Sequence, residues 1–281
     1  MVKNMVQNSS KWFKMVQCCS ALLLTILLTT CEVIPENERL IPIETESSNR
    51  TTLIVEFSGL KCNNCPLAAE EAHNLLSLYG NKLVVVEMHP ASNKLTEAKP
   101  EYDYTCAASD LYYQHFGGDN TTPLPIGVVN MTKTDGDYFV KYQLWGSACI
   151  ASSKVTSPVT IAHAVDVSSN ELHINATISN ISTDMIDVQY IAWLTEDKII
   201  GPQMMPEGTA NPTYEHNHVL RDAITDEWGT ALQINGKETE TLSMTYTLPT
   251  HVNIENCNVV GIVMKDNVAI QVNEYKLKNM K

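Results

Sequence analysis

Thr52-Leu53-Ile54-Val55-Glu56-Phe57-Ser58-Gly59-Leu60-Lys61-Cys62-Asn63-Asn64-Cys65-Pro66 is the stretch on which the reading of this chain turns. Its first six residues form a short, mostly apolar strand that breaks at Ser58-Gly59. Two cysteines three residues apart follow. Leu67, Ala68, Ala72, Leu75, Leu76 and Tyr79 then recur at spacings of three and four, which predicts a helix from Leu67 to Tyr79 closed by Gly80. Lys82 to Met88 (KLVVVEM) is a continuous apolar run between breakers, as in a strand covered on both faces. The order is therefore strand, Cys-x-x-Cys turn, helix, strand.

Further along, a second helix is expected from Cys106 to Phe116 and a strand from Ile126 to Asn130, introduced by Pro123-Leu124-Pro125. An Asp135-Gly136 turn leads into a strand from Tyr138 to Tyr142, and a short helix covers Leu144 to Ser152. This order resembles the thioredoxin fold. The resemblance implies that Cys62 and Cys65 are a redox dithiol at a helix N-terminus, that Glu56 is the buried acid many thioredoxins carry, and that Pro125 is their cis proline. The sequence departs from that pattern in having Lys61 where Trp is usual, a proline after the second cysteine, and roughly thirty residues between Met88 and Pro123.

A thiolate at a helix N-terminus faces unpaired amides, so Cys62 should fall from about 8.5 into the reactive range of about 3.5 to 7.5. Cys62 would attack, Cys65 would resolve the mixed disulfide, and a buried Glu56 would relay the proton. Pro66 sharpens the start of the helix. The same two cysteines are equally readable as a closed structural bridge. Zinc needs a second ligand pair, and neither Cys106 nor Cys149 has a Cys or His three residues away.

From about residue 158 the chain alternates apolar and polar positions. Thr160–Val167, Glu171–Ile178, Ile186–Leu194, Leu242–Leu248, Asn258–Lys265 and Val268–Tyr275 read as strands of an antiparallel, immunoglobulin-like β-sandwich. Gly201 to Lys237 reads as a long connection. In it, His216 and His218 stand at alternate positions and could share a face, but no third ligand is placed. The segment is read as polar and partly buried at a domain interface, and no metal is assigned.

The N-terminus has the form of an export signal: Lys3, Lys11 and Lys14 precede the apolar run Ala21–Leu28, too short to span a bilayer comfortably. Leu28-Thr29-Thr30-Cys31 resembles a bacterial lipobox, with Thr30 where Gly, Ala or Ser is usual, and so implies lipid on Cys31. Residues 32–50, with two prolines and five glutamates, suit a tether. The whole chain has 19 Lys plus Arg against 32 Asp plus Glu. Loss of the first thirty residues removes three lysines and no acid, leaving a net charge of −16. That field repels phosphate backbones, so no nucleic-acid partner is expected, and the membrane contact is through lipid. Without Cys18, Cys19 and Cys31, five cysteines remain, enough for at most two internal disulfides; Cys106 and Cys149 could pair, leaving Cys257 free.

Taken together, the lipoprotein signal, VEFSG before Lys61-Cys62-Asn63-Asn64-Cys65-Pro66, the Pro125–Asn130 segment, TEDKIIGPQ (Thr195–Gln203) and HNHVLR (His216–Arg221) resemble the Bacteroidetes outer-membrane lipoprotein family Omp28. The resemblance implies an outer-membrane location, a thioredoxin-like domain and a β-sandwich domain, with no assigned reaction. The expected organisation is a signal over 1–30, a lipidated tether over 31–50, an α/β thioredoxin-like domain over 51–156 and an all-β sandwich domain over 157–281. The leading expectation is thiol–disulfide exchange on envelope proteins by Cys62 and Cys65, with Glu56 and Pro125 assisting and no cofactor beyond the dithiol and the lipid. The competing one is a non-catalytic adhesin or receptor for a surface ligand, braced by a structural disulfide.

Overall fold

β1 (Thr52–Phe57) and β2 (Leu83–Met88) run parallel, with Thr52 opposite Leu83 and Phe57 opposite Met88. Every residue of both strands is buried, which is why neither shows the alternation of a half-exposed strand. The protein is described from a computed structural model, in which residues 48–96, 99 and 101–277 are described. The signal, Cys31 and most of the expected tether lie outside them. Ser48 to Arg50, counted with the tether, are fastened to the folded body instead: the Ser48 hydroxyl donates to Val155 O at 2.5 Å, Asn49 pairs with Ser157, and Arg50 donates to Ala269 O at 2.7 Å.

α1 (Cys65–Tyr79) connects the two strands, starting two residues earlier than its apolar period shows, with Pro66 in its first turn. It buries Cys65, Ala68, Ala72 and Leu75 and ends at Gly80, whose φ of 54° is left-handed, a conformation that costs a glycine little. α2 (Ala107–His115), β3 (Ile126–Val129) and α3 (Trp145–Ser153) complete the first half, with β3 antiparallel to β1. The strand expected over Tyr138–Tyr142 reduces to one bridge, Val140 with Gly127. Gly127 is needed there, because a Cβ would lie 2.6 Å from the Trp145 ring. The helices take opposite faces of the sheet. α1 and α3 pack on Ile54, Val85 and Val129, whereas Tyr112, Tyr113 and Phe116 pack on Leu53, Val55 and Phe57.

Ten strands follow: β4 (Val159–Ser168), β5 (Glu171–Asn180), β6 (Ile186–Glu196), β7 (Ile199–Met204), β8 (Ala210–His216), β9 (Val219–Ala223), β10 (Thr230–Ile234), β11 (Thr239–Thr247), β12 (Cys257–Lys265) and β13 (Val268–Lys276). The chain is thus mostly β with sandwich-like layers. A three-stranded antiparallel sheet, β11-β5-β4, lies over β6 and β12. Through Ala176 and Ile178 it meets Val188, Tyr190 and Val263, and through Leu172 and Ile174 it meets Leu194 and Val259. The larger sheet has the order β13-β12-β6-β9-β2-β1-β3, with β10 also on β6, so strands from both sides of residue 156 share it. The junction is parallel pairing of Glu87 with Val219, where Glu87 N donates to His218 O at 2.8 Å.

The segment expected to be one long connection, Gly201–Lys237, instead contributes to or forms β7, β8, β9 and β10. β7 and β8 pair with each other as a separate two-stranded sheet. Among the described residues no helix is long and apolar enough to cross a membrane.

Candidate functional site

The turn after β1 carries the two cysteines. Cys65 opens α1 and Cys62 lies two residues ahead of the N-cap Asn64, so the pair straddles the start of the helix. They form a disulfide with Cα atoms 5.5 Å apart. Each cysteine is only 2% exposed. The β7–β8 hairpin is tied to this turn by its main chain and one side chain: Gln203 Nε2 donates to Cys62 O at 2.8 Å and to Gly59 O at 3.3 Å, and Met204 N donates to Leu60 O at 2.9 Å. The Leu124–Pro125 peptide bond is cis, and Leu124 shares a core cluster with both cysteines.

Cys106, Cys149 and Cys257 are free, so the Cys106–Cys149 pairing that the sequence allowed is not made. Cys149 packs in the cluster under α1 and α3, while Cys106 packs in the one on the opposite face of the sheet. Burial pushes Cys106 up and takes Cys149 and Cys257 to about 12, so all three are unreactive thiols at neutral pH.

Glu56, near the end of β1, is 2% exposed, and its Oε1 has no hydrogen-bond partner. Burial, and then the charge of Glu87, hold its carboxyl well above the usual range. Glu87 is its register partner on β2. His89 Nε2 lies 2.8 Å from Glu87 Oε1, and a carboxylate only accepts, so Nε2 carries the proton. Burial pushes Glu87 up, but His89, its hydrogen bond, His216 and Ser58 together outweigh that and keep Glu87 ionised.

His216, at the end of β8, completes this group. One ligand atom each from Glu87, His89 and His216 lie within 4.8 Å of one another, and all three residues are buried. Burial takes His216 down to about 4, with Glu87 opposing and His89 adding to the fall. Its ring bonds to the Pro202 backbone while Nε2 has no partner. Proline offers only its carbonyl, so Nδ1 donates there and Nε2 keeps a bare lone pair. Tyr104 and Tyr214 flank the ring, each with its centroid 4.8 Å away. Gly201 makes room for Tyr104, whose hydroxyl lies 1.9 Å from where a Cβ would stand. A cavity of about 740 Å³ is lined by Glu56, Glu87, Tyr214 and His216, with the exposed Glu70, His73 and Glu215 also on its wall.

The His216/His218 pair that could have shared a face divides in role. His218 has φ +60° in the turn between β8 and β9, and its N–H donates to Asp197 Oδ1 at 2.8 Å; it lines the same cavity as His216 but stands outside the Glu87–His89–His216 group. Glu87, His89 and Gln203 were missed from the sequence. Glu87-Met88-His89 did carry a signal: two polar ligands at alternate positions closing an apolar strand, hence on one face.

The description "Outer membrane protein Omp28" matches residues 110–281, well over half of the chain. The chain belongs to the Omp28 family. Its place is accordingly the outer membrane, as its motifs implied. The Omp28 match includes Pro125, Gln203 and His216 but begins after Cys62, Cys65 and Glu87. The fold is similar to HBP35 of Porphyromonas gingivalis, at 14% identity and TM-score 0.64, covering 84% of this chain and 77% of that one. A protein of Agrobacterium tumefaciens aligns at 12% identity and TM-score 0.49 over 84% and 98% of the two chains. A domain of the outer membrane lipoprotein Omp28 of Porphyromonas gingivalis aligns at 18% identity and TM-score 0.33 over 43% and 88%. Among curated proteins nothing matches.

Proposed function

We propose that this Omp28 protein is a non-catalytic outer-membrane receptor, held to the membrane by lipid on Cys31, with the Cys62–Cys65 disulfide bracing one wall of its ligand cavity. The observation that carries this reading is the burial of both cysteines beneath the β7–β8 hairpin. Exchange requires an incoming thiolate to reach one sulfur in line with the bond it breaks. Here the turn is packed against Gln203 and Met204, and the free cysteines are buried or partly buried elsewhere. A cavity of 740 Å³ is of the size that takes a small ligand.

The scaffold reads as a thioredoxin-like half joined to an immunoglobulin-like sandwich. The parallel β1–β2 pair around α1, the antiparallel β3 and the cis proline before it support the first part, and the layering of β11-β5-β4 on β6 and β12 supports the second.

Disulfide reduction measured on insulin separates receptor from oxidoreductase. Wild type and Cys62→Ser should give equal, negligible turnover, while denaturant unfolding of Cys62→Ser should show a loss of about 2 kcal/mol, the loop-entropy value for so short a ring. Turnover in wild type that Cys62→Ser abolishes overturns the reading. Palmitate incorporation lost in Cys31→Ala tests the anchor; unchanged incorporation places the lipid elsewhere.

A further inference from the structure

We infer that Glu87, His89 and His216 form a binding site for a divalent transition-metal ion of the Zn²⁺ class, reached through the cavity beside α1. Two imidazoles and a carboxylate are the three-ligand set of open zinc sites, whose fourth position goes to water or a ligand. Hard cations such as Ca²⁺ and Mg²⁺ take six or more oxygens and fit this set poorly. The three donor atoms already lie within 4.8 Å of one another. An ion at about 2.0 to 2.2 Å from each would draw donors as far apart as 4.8 Å together by rotation of their side chains.

The second line of argument is what the group lacks. His216 Nε2, His89 Nδ1 and Glu56 Oε1 are buried and have no hydrogen-bond partner, in residues 1%, 0% and 2% exposed. Buried polar atoms are nearly always satisfied, and orphan atoms on two histidines of one close group call for a missing partner. His216 is also held as metal-bound histidines are: Nδ1 donates to a main-chain carbonyl, which fixes the tautomer and aims Nε2. Glu87 has its own supporting contact from Ser58. Glu56, beside Glu87 in register, lines the same cavity, where its carboxyl can hold the water on the ion. Glu70 and Glu215, exposed on the cavity wall, give an approaching cation a favourable field.

The site includes neither Cys62 nor Cys65. A chain that binds zinc here and also turns over disulfides would uphold this inference and overturn the receptor reading, so the two fail separately.

The test uses the purified full chain, stripped with chelator and titrated with Zn²⁺ by calorimetry. Wild type should bind one ion per chain. His216→Gln and His89→Gln should weaken binding roughly 100-fold or more, and His251→Ala, on an exposed residue, should leave it unchanged. No binding by wild type, or equal affinity in wild type and a folded His216→Gln, overturns the site. If circular dichroism shows the variants unfolded, Co²⁺ loaded into wild type decides. The d–d bands of a four- or five-coordinate ion without sulfur charge transfer support the site; their absence, or thiolate bands from a cysteine, overturns it.

Discussion

His163 on β4 bridges two strands of the larger sheet: Nδ1 lies 2.8 Å from Asn273 Oδ1 and Nε2 lies 2.7 Å from the Tyr190 hydroxyl. An amide oxygen only accepts, so Nδ1 carries the proton and neutral Nε2 accepts from Tyr190. Gly261 allows this approach, since a Cβ there would stand 2.4 Å from His163 Nε2. Burial holds the imidazole below its ordinary value, with the Asn273 contact opposing. The unfolded chain therefore takes up this proton first as pH falls. The stability of the neutral ring is complete above about 6.5, the unfolded value, and is lost progressively as pH drops toward the lower folded value. His163→Gln should cost about 1 kcal/mol at pH 7.5 for its altered hydrogen bonds. Its melting temperature should also fall less than that of wild type between pH 7.5 and pH 5, and parallel pH curves for the two proteins would show that His163 is not a source of the slope.

Among elements, the β7–β8 hairpin decides how the dithiol behaves. Gln203 is 2% exposed, and its amide donates to Cys62 O at 2.8 Å, so Gln203→Ala leaves that carbonyl only the longer contact from Cys65 N at 3.4 Å and opens the cover over the disulfide. Reduction of the native protein by dithiothreitol, followed by alkylation of quenched samples, should run several-fold faster in Gln203→Ala; an unchanged rate would mean that some other contact seals the bond. This hairpin was also the least legible part of the chain. β1, α1 and β2 could be read because their signals are local: apolar runs buried on both faces, a helical period, and Gly80 as a stop. β7 and β8 contain Gly201, Pro202 and Pro212 and bury only a few positions, so their alternation is faint and their breakers read as loop. The metal-type group was hidden for a related reason. Glu87 and His89 stand on one side of the chain's midpoint and His216 on the other, so no spacing rule joins them. Cys62, Cys65 and Pro125 were legible because turn chemistry and helix starts are written in adjacent residues. TEDKIIGPQ and HNHVLR, which carried much of the family resemblance, supply Gln203 and His216 to the same region.

At the scale of the molecule, the larger sheet makes the C-terminal half depend on the N-terminal one. Main-chain pairing across the junction is thin, with Glu87 opposite Val219 and Ala269 N donating to Asn130 O at 2.9 Å. The side chains carry the coupling instead. Ile191, Trp193, Leu220, Val260 and Ile262 belong to one core cluster with Leu53, Val55, Phe57 and Tyr112, and Trp193 Nε1 donates to the Tyr112 hydroxyl at 3.2 Å. Cutting before residue 157 would expose five large apolar side chains on one face, each contributing about 1.5 to 3 kcal/mol when buried, together an apolar patch of the kind that drives association. A fragment spanning 157–281 should therefore keep strand signal in the far-ultraviolet, lose the near-ultraviolet signal of Trp193, and sediment as oligomers. The full chain should unfold in one transition, because separating the halves exposes that shared core. A monomeric fragment with a sharp transition of its own would mean that the sandwich layers β11-β5-β4 and β13-β12-β6 hold themselves together, and that the common sheet joins two separately stable bodies. That result would also leave His216 on one body with Glu87 and His89 on the other, which would make any ion they share a clasp between the halves.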